Sequence, residues 1–271
     1  MRKRVILLLT AAVAGGIWII VSLNRESVNE NRERTKAPDQ ELSELEEMNI
    51  YSFLQHRLDT YHASTVEVFG SSVAAGTGAD SYSESWAGRL EERLQRITDG
   101  SQHVELNNHG VNGYSSKDML ERGMIDAELS GEADFVIIET GILNDFYRGI
   151  PAAQSIDNIH QLIREAKAKA PDAEVLVMNP NPAITYENTN PELDSGYQEF
   201  ADQLKEEFER DQGVLFIDAS VPFHENAENG RQMEQYIGDG IHPNREGYRL
   251  WYEHMDAYFE QTPVQEAEES G

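Results

Sequence analysis

The chain has 271 residues, which is enough for one sizeable domain with appendages and a full hydrophobic core. It contains no cysteine, so disulfides, thiolate metal sites, a cysteine nucleophile and a lipid-modified N-terminal cysteine are excluded. The formal net charge of -27 repels nucleic acid and anionic lipid surfaces, which argues against a DNA- or RNA-binding protein.

The first 24 residues combine a basic start with an apolar run. Residues 2–4 are Arg-Lys-Arg, and residues 5–23 carry no charge. As a helix this run spans about 28 Å, close to the hydrocarbon thickness of a bilayer. Positive charge before the run favours a cytoplasmic N-terminus, so we expect an uncleaved membrane anchor with the remaining chain outside the cell membrane. A signal peptide cleaved near residues 12–14, which would leave a secreted protein, is the alternative.

Residues 25–63 are predicted to form a polar stalk and then an amphipathic helix. The sequence through residue 40 is polar with mixed charge, and Asp39 is placed to cap the helix. Apolar residues then recur at intervals of three and four, which predicts a stripe docked on the domain: Leu42, Leu45, Met48, Tyr51, Leu54, Leu58 and Tyr61. Residues 263–271 form a predicted acidic tail.

Predicted strands and helices alternate through residues 64–262. The strands cover residues 66–71, 104–108, 134–140, 174–179 and 214–218. The helices cover residues 85–97, 116–127, 153–170, 192–211 and 245–261. Several strands are apolar on both faces, which suits the interior of a parallel sheet covered by helices. We therefore expect an α/β fold, a three-layer α/β/α sandwich around a five-stranded parallel sheet.

Polar groups follow several of these strands at the carboxyl edge, where open parallel sheets bind their ligands. They are Ser71, Ser72, Gly110, Asn144, Asp239 and His242. Together they supply a hydroxyl, a glycine N–H, a carboxamide and a carboxylate–imidazole pair. Because they reach one edge of the sheet, we expect them to lie close together.

These groups match the requirements of acyl transfer. A serine hydroxyl is a poor nucleophile unless a base takes its proton, and His242 is the candidate base for Ser72. Asp239 lies three residues before His242 with a glycine on either side, so a tight bend can bring its carboxylate to the imidazole. The N–H groups of Ser72 and Gly110 and the Asn144 amide are candidate donors to the oxyanion.

The blocks that carry these groups resemble those of the SGNH hydrolases, the GDSL-type esterase and lipase family. The matching segments are Gly70-Ser71-Ser72-Val73, Asn108-His109-Gly110, Gly141 with Asn144-Asp145, and Asp239-Gly240-Ile241-His242-Pro243. The resemblance implies a flavodoxin-like fold, Ser72 as the nucleophile, and Gly110 and Asn144 in the oxyanion hole. The chemistry needs no cofactor, and the histidines show no metal-ligand spacing.

Two positions depart from the family pattern. Ser71 stands where the family has an aspartate, so it is kept as a second candidate nucleophile. In the third block two residues, instead of one, separate Gly141 from Asn144. His109 is either a pocket residue or a hydrogen-bonded structural histidine, and Asp145 is predicted to hold its loop in place.

The sequence thus predicts a membrane-anchored, extracytoplasmic serine esterase whose partner is an ester substrate, either an acylated glycan or a lipid. Its location favours O-deacetylation of a cell-envelope or other polysaccharide. A lipase or lysophospholipase is the second candidate. An O-acetyltransferase that uses the same site, and a decayed site in a glycan-binding or scaffold protein, are further alternatives.

Overall fold

A five-stranded parallel sheet forms the centre of the protein. The computed structural model describes residues 48–97, 102–184, 190, 192, 193 and 195–264. The strands are Thr65–Phe69 (β1), Glu105–Asn108 (β2), Phe135–Glu139 (β3), Glu174–Asn179 (β4) and Leu215–Asp218 (β5). They lie in the order β2-β1-β3-β4-β5, and every neighbouring pair is parallel. The predicted sheet is confirmed, with each strand within two residues of its expected bounds.

Helices cover both faces of the sheet. They are Ile50–Tyr61 (α1), Trp86–Arg96 (α2), Ser116–Glu121 (α3), Met124–Glu128 (α4), Ile142–Tyr147 (α5), Ala152–Lys169 (α6), Tyr197–Phe208 (α7), Val221–Glu228 (α8) and Arg245–Gln261 (α9). Helix α9 contacts α1, α2 and α8, whereas α6 contacts α3, α4, α5 and α7. These two groups form the outer layers, as a parallel sheet with apolar faces requires.

The central strands explain the position of the core. All five residues of β3 and the last five of β4 are buried. The ring of Phe135 packs on Phe259 of α9, with the ring centroids 5.5 Å apart. Removing these apolar side chains from water is the main favourable contribution to folding. Glu139, the last residue of β3, places an ionisable side chain within this core.

Helix α1 starts later than predicted. Asn49, and not Asp39, is its N-cap, with a side chain that accepts the Ser52 N–H at 2.8 Å. Leu42 and Leu45 of the predicted stripe lie outside the described residues. The rest of the stripe docks on the domain as predicted, since Met48, Tyr51, Leu54 and Leu58 pack in or against the core, while Tyr61 is half-buried.

Other helix predictions were wrong in detail. The predicted helix 116–127 is interrupted because Gly123 adopts a left-handed conformation with φ of 59°, which separates α3 from α4. Helix α7 begins five residues later than predicted, at Tyr197. Helices α5 and α8 were not predicted, because six and eight residues are too few to show a helical period.

The predicted membrane anchor (residues 1–24), the polar stalk and residues 265–271 of the acidic tail lie outside the described residues. Within the part of the chain that the structure describes, none of the helices combines the length and apolar character needed to cross a bilayer. The anchor therefore stays a prediction from the sequence.

Candidate active site

The serine turn, residues 70–77, follows β1 and is held by two helices. From α2, the indole N–H of Trp86 donates to the Val73 carbonyl at 2.9 Å. From α9, the Tyr248 hydroxyl donates to the Thr77 carbonyl at 2.7 Å. Both side chains are completely buried, so the core fixes the backbone of the turn.

Three side chains form a continuous hydrogen-bonded chain at the carboxyl edge of the sheet. Oγ of Ser72 lies 2.9 Å from Nε2 of His242, and Nδ1 of His242 lies 2.7 Å from Oδ2 of Asp239. The other carboxylate oxygen of Asp239 accepts the N–H groups of Ile241 and His242, at 3.0 and 2.7 Å. With the Nδ1–H donated to Asp239, Nε2 is an acceptor and can receive the Ser72 proton.

Asp239 is held as a carboxylate at the rim of the site. Partial burial works to raise its pKa, but hydrogen bonds from the ring and backbone of His242 and from the Ile241 N–H lower it to about 2. The Asp239 side chain is 59% exposed, whereas that of His242 is 19% exposed. A fixed negative charge here stabilises the imidazolium that forms when His242 takes a proton.

The structure distinguishes the two candidate serines. Ser72 is 8% exposed and its hydroxyl meets His242, whereas Ser71 is completely buried. The Ser71 N–H donates to Oε2 of Glu139 at 2.6 Å. Ser71 is therefore part of the support for the turn, and Ser72 is the serine that the fold presents to the imidazole.

The three predicted oxyanion donors differ in their partners. The N–H of Ser72 has no acceptor within the described residues. The N–H of Gly110 donates to Oδ1 of Asn108 at 2.9 Å, which the sequence did not indicate. Nδ2 of Asn144 donates one hydrogen to the Tyr114 carbonyl at 2.9 Å. Because an amide NH₂ has two hydrogens, Asn144 retains a second one for another acceptor.

Gly110 lies directly against the serine turn. A Cβ at this position would be 2.4 Å from the Ala75 nitrogen and 2.9 Å from Cβ of Ala74, so no larger residue fits. Asn108 joins the same two segments, since its Nδ2 donates to the Ala74 carbonyl at 2.7 Å while its Oδ1 accepts the Gly110 N–H. The sequence showed Asn108 only as a member of its block, and not this bridging role.

Glu139 is a site residue that the sequence reasoning missed. Its Oε2 accepts the Ser71 N–H at 2.6 Å, and its Oε1 accepts the Gly141 N–H at 2.8 Å. Complete burial raises the pKa of Glu139, although the hydrogen bonds from Ser71 and Gly141 oppose this shift. A Cβ at Gly70 would lie only 2.7 Å from Cβ of Glu139, so the turn packs tightly on it. The available signal was a glutamate that ends an otherwise apolar strand.

Helix α5 accounts for the longer third block. Gly141 precedes it with φ of 70°, a conformation that favours glycine, and the extra residue is part of the first helical turn. This turn carries Asn144 towards Tyr114. Asp145 is buried and accepts the Ser116 N–H at 3.1 Å, so it joins α5 to α3. It therefore holds its segment in place, but that segment is a helix and not the predicted loop. Burial raises the pKa of Asp145 to about 7, although hydrogen bonds from Ser116 oppose it.

The arrangement supplies what acyl transfer requires. It holds a hydroxyl, a base in hydrogen-bonding reach of it, a carboxylate that orients the base, and amide donors on neighbouring loops. Among the residues that the structure places, no group of three or more His, Asp or Glu side chains could hold a metal ion.

Comparison with known proteins identifies related chains. Residues 68–250 match the model of the GDSL-like Lipase/Acylhydrolase family. No curated protein matched the sequence. A solved structure of a member of the lipolytic G-D-S-L family from Veillonella parvula is 19% identical, with a TM-score of 0.59 over 74% of this chain and 100% of that one.

Two further solved structures are esterases. An acetylxylan esterase from Geobacillus stearothermophilus is 17% identical, with a TM-score of 0.56 over 76% of this chain and 99% of that one. A two-domain esterase active on acetylated mannans is 16% identical, with a TM-score of 0.57 over 77% of this chain and 52% of that one. The family match includes the serine turn and the Asp239–His242 pair. The chain therefore belongs to the GDSL-like lipase/acylhydrolase family and is a hydrolase of ester bonds.

Proposed function

We propose that Ser72, His242 and Asp239 form a catalytic triad that hydrolyses carboxylic esters through an acyl-enzyme. The observation that carries this proposal is the unbroken chain from the Ser72 hydroxyl to the Asp239 carboxylate, with links of 2.9 and 2.7 Å. A nucleophile within hydrogen-bonding reach of a base, and a base oriented by a third group, is the arrangement that activates a serine.

The first half-reaction acylates the serine. Oγ of Ser72 bonds to the carbonyl carbon of the ester, its proton passes to Nε2 of His242, and the carbonyl electron pair moves onto oxygen. When the tetrahedral intermediate collapses, the bond to the leaving oxygen breaks. The leaving group takes the proton from His242 and departs as an alcohol, which leaves Ser72 acylated.

The second half-reaction releases the acid. A water molecule gives a proton to His242 as its oxygen bonds to the acyl carbon. Collapse of this intermediate breaks the bond to Oγ of Ser72, which regains its proton from His242. Asp239 stays ionised throughout and stabilises the imidazolium in both halves, in keeping with its pKa of about 2.

The oxyanion donors contribute unequally in this proposal. The N–H of Ser72 is the first donor, because no acceptor within the described residues competes for it. Asn144 offers its second amide hydrogen. The Gly110 N–H contributes by sharing its hydrogen between Asn108 and the oxyanion, so it is the weakest of the three. Removal of a well-placed donor typically lowers kcat by about 10² to 10³.

For the natural substrate, we propose an acetylated polysaccharide outside the membrane. The basic residues before the apolar run support export of the domain and its retention by an anchor. Two proteins of similar fold are an acetylxylan esterase and an esterase active on acetylated mannans, which supports glycan O-deacetylation. A cell-envelope glycan is the polymer that such an anchored domain would meet.

A series of p-nitrophenyl esters tests this function. We expect the full-length protein to hydrolyse the acetyl ester best, with kcat/KM falling steeply as the acyl chain lengthens. A preference for long chains would instead make the protein a lipase-type esterase. No hydrolysis of any ester by a folded protein would overturn the proposed triad.

The proposed location outside the membrane has its own test. Protease added to intact cells should digest the domain, and a domain protected from the protease would overturn the proposed location.

A further inference from the structure

A cavity of about 330 Å³ adjoins the site on the side of β2. Its apolar wall includes Val111, Tyr114 and Met124, and its polar groups are His109, Arg122 and Glu128. A largely apolar wall with a few charged groups is the usual make-up of a small-molecule site, and this volume is at the lower end for one. None of these side chains has a part in the proposed acyl transfer.

One loop connects the cavity with the catalytic groups. Loop 109–114 lines the cavity and also touches the site, because the Val111 N–H donates to the Gly70 carbonyl at 3.0 Å. The Tyr114 carbonyl accepts the amide of Asn144 on the catalytic side, while Tyr114 is also part of the cavity wall. A ligand that spans this loop would reach both the cavity and the nucleophile.

The cavity contains a positively charged guanidinium, from Arg122, and a negatively charged carboxylate, from Glu128. The Arg122 guanidinium lies over the Tyr114 ring, 5.2 Å from its centroid, and has no ion pair within the described residues. His109 is fixed by Glu67, with 2.7 Å between Nε2 and Oε2. Its other ring nitrogen lies 3.8 Å from Oε2 of Glu128. The cavity therefore presents a donor, a carboxylate acceptor and a held imidazole.

This mixture favours a hydroxylated ring as the ligand. Arg122 and Glu128 are both exposed, and an acyl chain laid against them would displace part of their hydration without giving either a hydrogen bond, which is unfavourable. A ligand that carries only negative charge would meet the carboxylate of Glu128. Sugar hydroxyls both donate and accept, so they can pair with each of these groups, while the C–H face of the ring covers Tyr114 and Val111.

We propose that this cavity is a subsite for a pyranose ring next to the acylated sugar, so that the protein recognises an oligosaccharide and not a single ester. This inference rests on the proposed glycan esterase function and names the part of its substrate that the catalytic groups do not touch. Binding energy from such a remote ring is available to position the reacting ester.

Blocking the cavity tests the subsite. Ala127 lines it and is exposed, so Ala127→Trp fills the space with little effect on the core. Asp126→Trp is the control, because it places the same bulk on the preceding residue of α4, which is exposed and does not line the cavity. Kinetics of the full-length protein are compared on p-nitrophenyl acetate and on acetylated mono- and oligosaccharides of mannose, xylose and N-acetylglucosamine.

We expect wild type to prefer an oligosaccharide over its monosaccharide by about tenfold in kcat/KM. Ala127→Trp should abolish this preference, Arg122→Gln should reduce it, and Asp126→Trp should retain it. An absent preference in wild type, or an intact one in Ala127→Trp, would overturn the subsite. A change in acyl-chain preference would make the cavity an acyl pocket. If even p-nitrophenyl acetate is not hydrolysed, the proposed function itself has failed.

Discussion

At the scale of single residues, the two adjacent serines provide a matched pair of variants. Ser72→Ala removes the hydroxyl that meets His242, and we expect kcat on p-nitrophenyl acetate to fall by at least about 10³. Ser71→Ala should keep most of the activity, because the backbone N–H of Ser71 makes the contact with Glu139. Steady-state kinetics of both variants test whether Ser72 is the nucleophile. Activity that is lost in Ser71→Ala and kept in Ser72→Ala would make Ser71 the nucleophile instead.

Glu139 is the second residue whose replacement is informative. Glu139→Ala leaves the N–H groups of Ser71 and Gly141 buried without acceptors. Each unpaired group should lower the free energy of unfolding by about 1–3 kcal/mol. Because one group belongs to the turn that carries Ser72 and the other precedes the helix that carries Asn144, we expect kcat to fall more than KM rises. Urea unfolding and steady-state kinetics measure the two effects. Glu199→Ala, at an exposed position, is the control. If both variants had the same stability and kinetics, Glu139 would not support the serine turn.

Prediction from the sequence found the contact within one block and the meeting of Ser72 with His242 at the sheet edge. It missed the contacts made by Glu139 and Asn108. Asp239 and His242 are three positions apart, so their contact follows from local spacing and was foreseeable. Glu139 meets Ser71 only because β3 lies beside β1 in the sheet. The Gly110 N–H donates to the Asn108 side chain. This hydrogen bond depends on the side-chain conformation of Asn108, which the order of residues does not specify.

At the scale of elements, α1 is part of the domain core. Leu54 is completely buried, so Leu54→Ala should lower the unfolding free energy by about 2–5 kcal/mol through lost burial and a residual cavity. Ser52→Ala, on the exposed face of the same helix, should change it by less than about 0.5 kcal/mol. Chemical denaturation compares the two. Similar values for both would show that α1 is not docked on the domain in solution.

The helices show where periodicity is a sufficient guide. Helix α9 was predicted at its observed bounds, because it keeps one buried face over 17 residues and starts at the cap Asn244. The apolar pattern of residues 116–127 also continues across Gly123, and therefore suggests one helix. The left-handed backbone at Gly123 breaks that helix, and a pattern of side chains does not report backbone conformation.

At the scale of the whole molecule, stability should fall between mildly acidic and neutral pH. Burial raises the pKa of Asp145 and of Glu174 to about 7, against opposing contributions from Ser116 and Lys167 respectively. A carboxyl whose pKa is raised on folding contributes stability that is complete below pH of about 4 and is lost as the pH rises through about 7. The net charge of -27 adds self-repulsion in the same direction. Burial lowers the pKa of His254, which contributes in the opposite direction, but this single histidine is outweighed by the two carboxyls.

Urea unfolding at pH 5 and pH 8 measures this dependence. We expect the free energy of unfolding to be lower at pH 8, and Asp145→Asn to show a smaller difference between the two conditions. Glu199→Ala should behave as wild type, since the Glu199 side chain is exposed. A protein that is more stable at pH 8 would contradict the assignment of buried, proton-binding carboxyls.

The exposed carboxylate of Asp239 bears on how a polymer would be processed. With 59% of this side chain in solvent, the site is open at Asp239, so the proposed polysaccharide can enter past this residue without being threaded from a chain end. Acetyl groups in the middle of a polysaccharide are then as accessible as those at its ends. We expect early digests to contain long chains with acetyl groups missing at scattered internal positions, a pattern that NMR of the partly treated polymer would reveal. Removal that starts from one end would show that the rim is closed in the working enzyme.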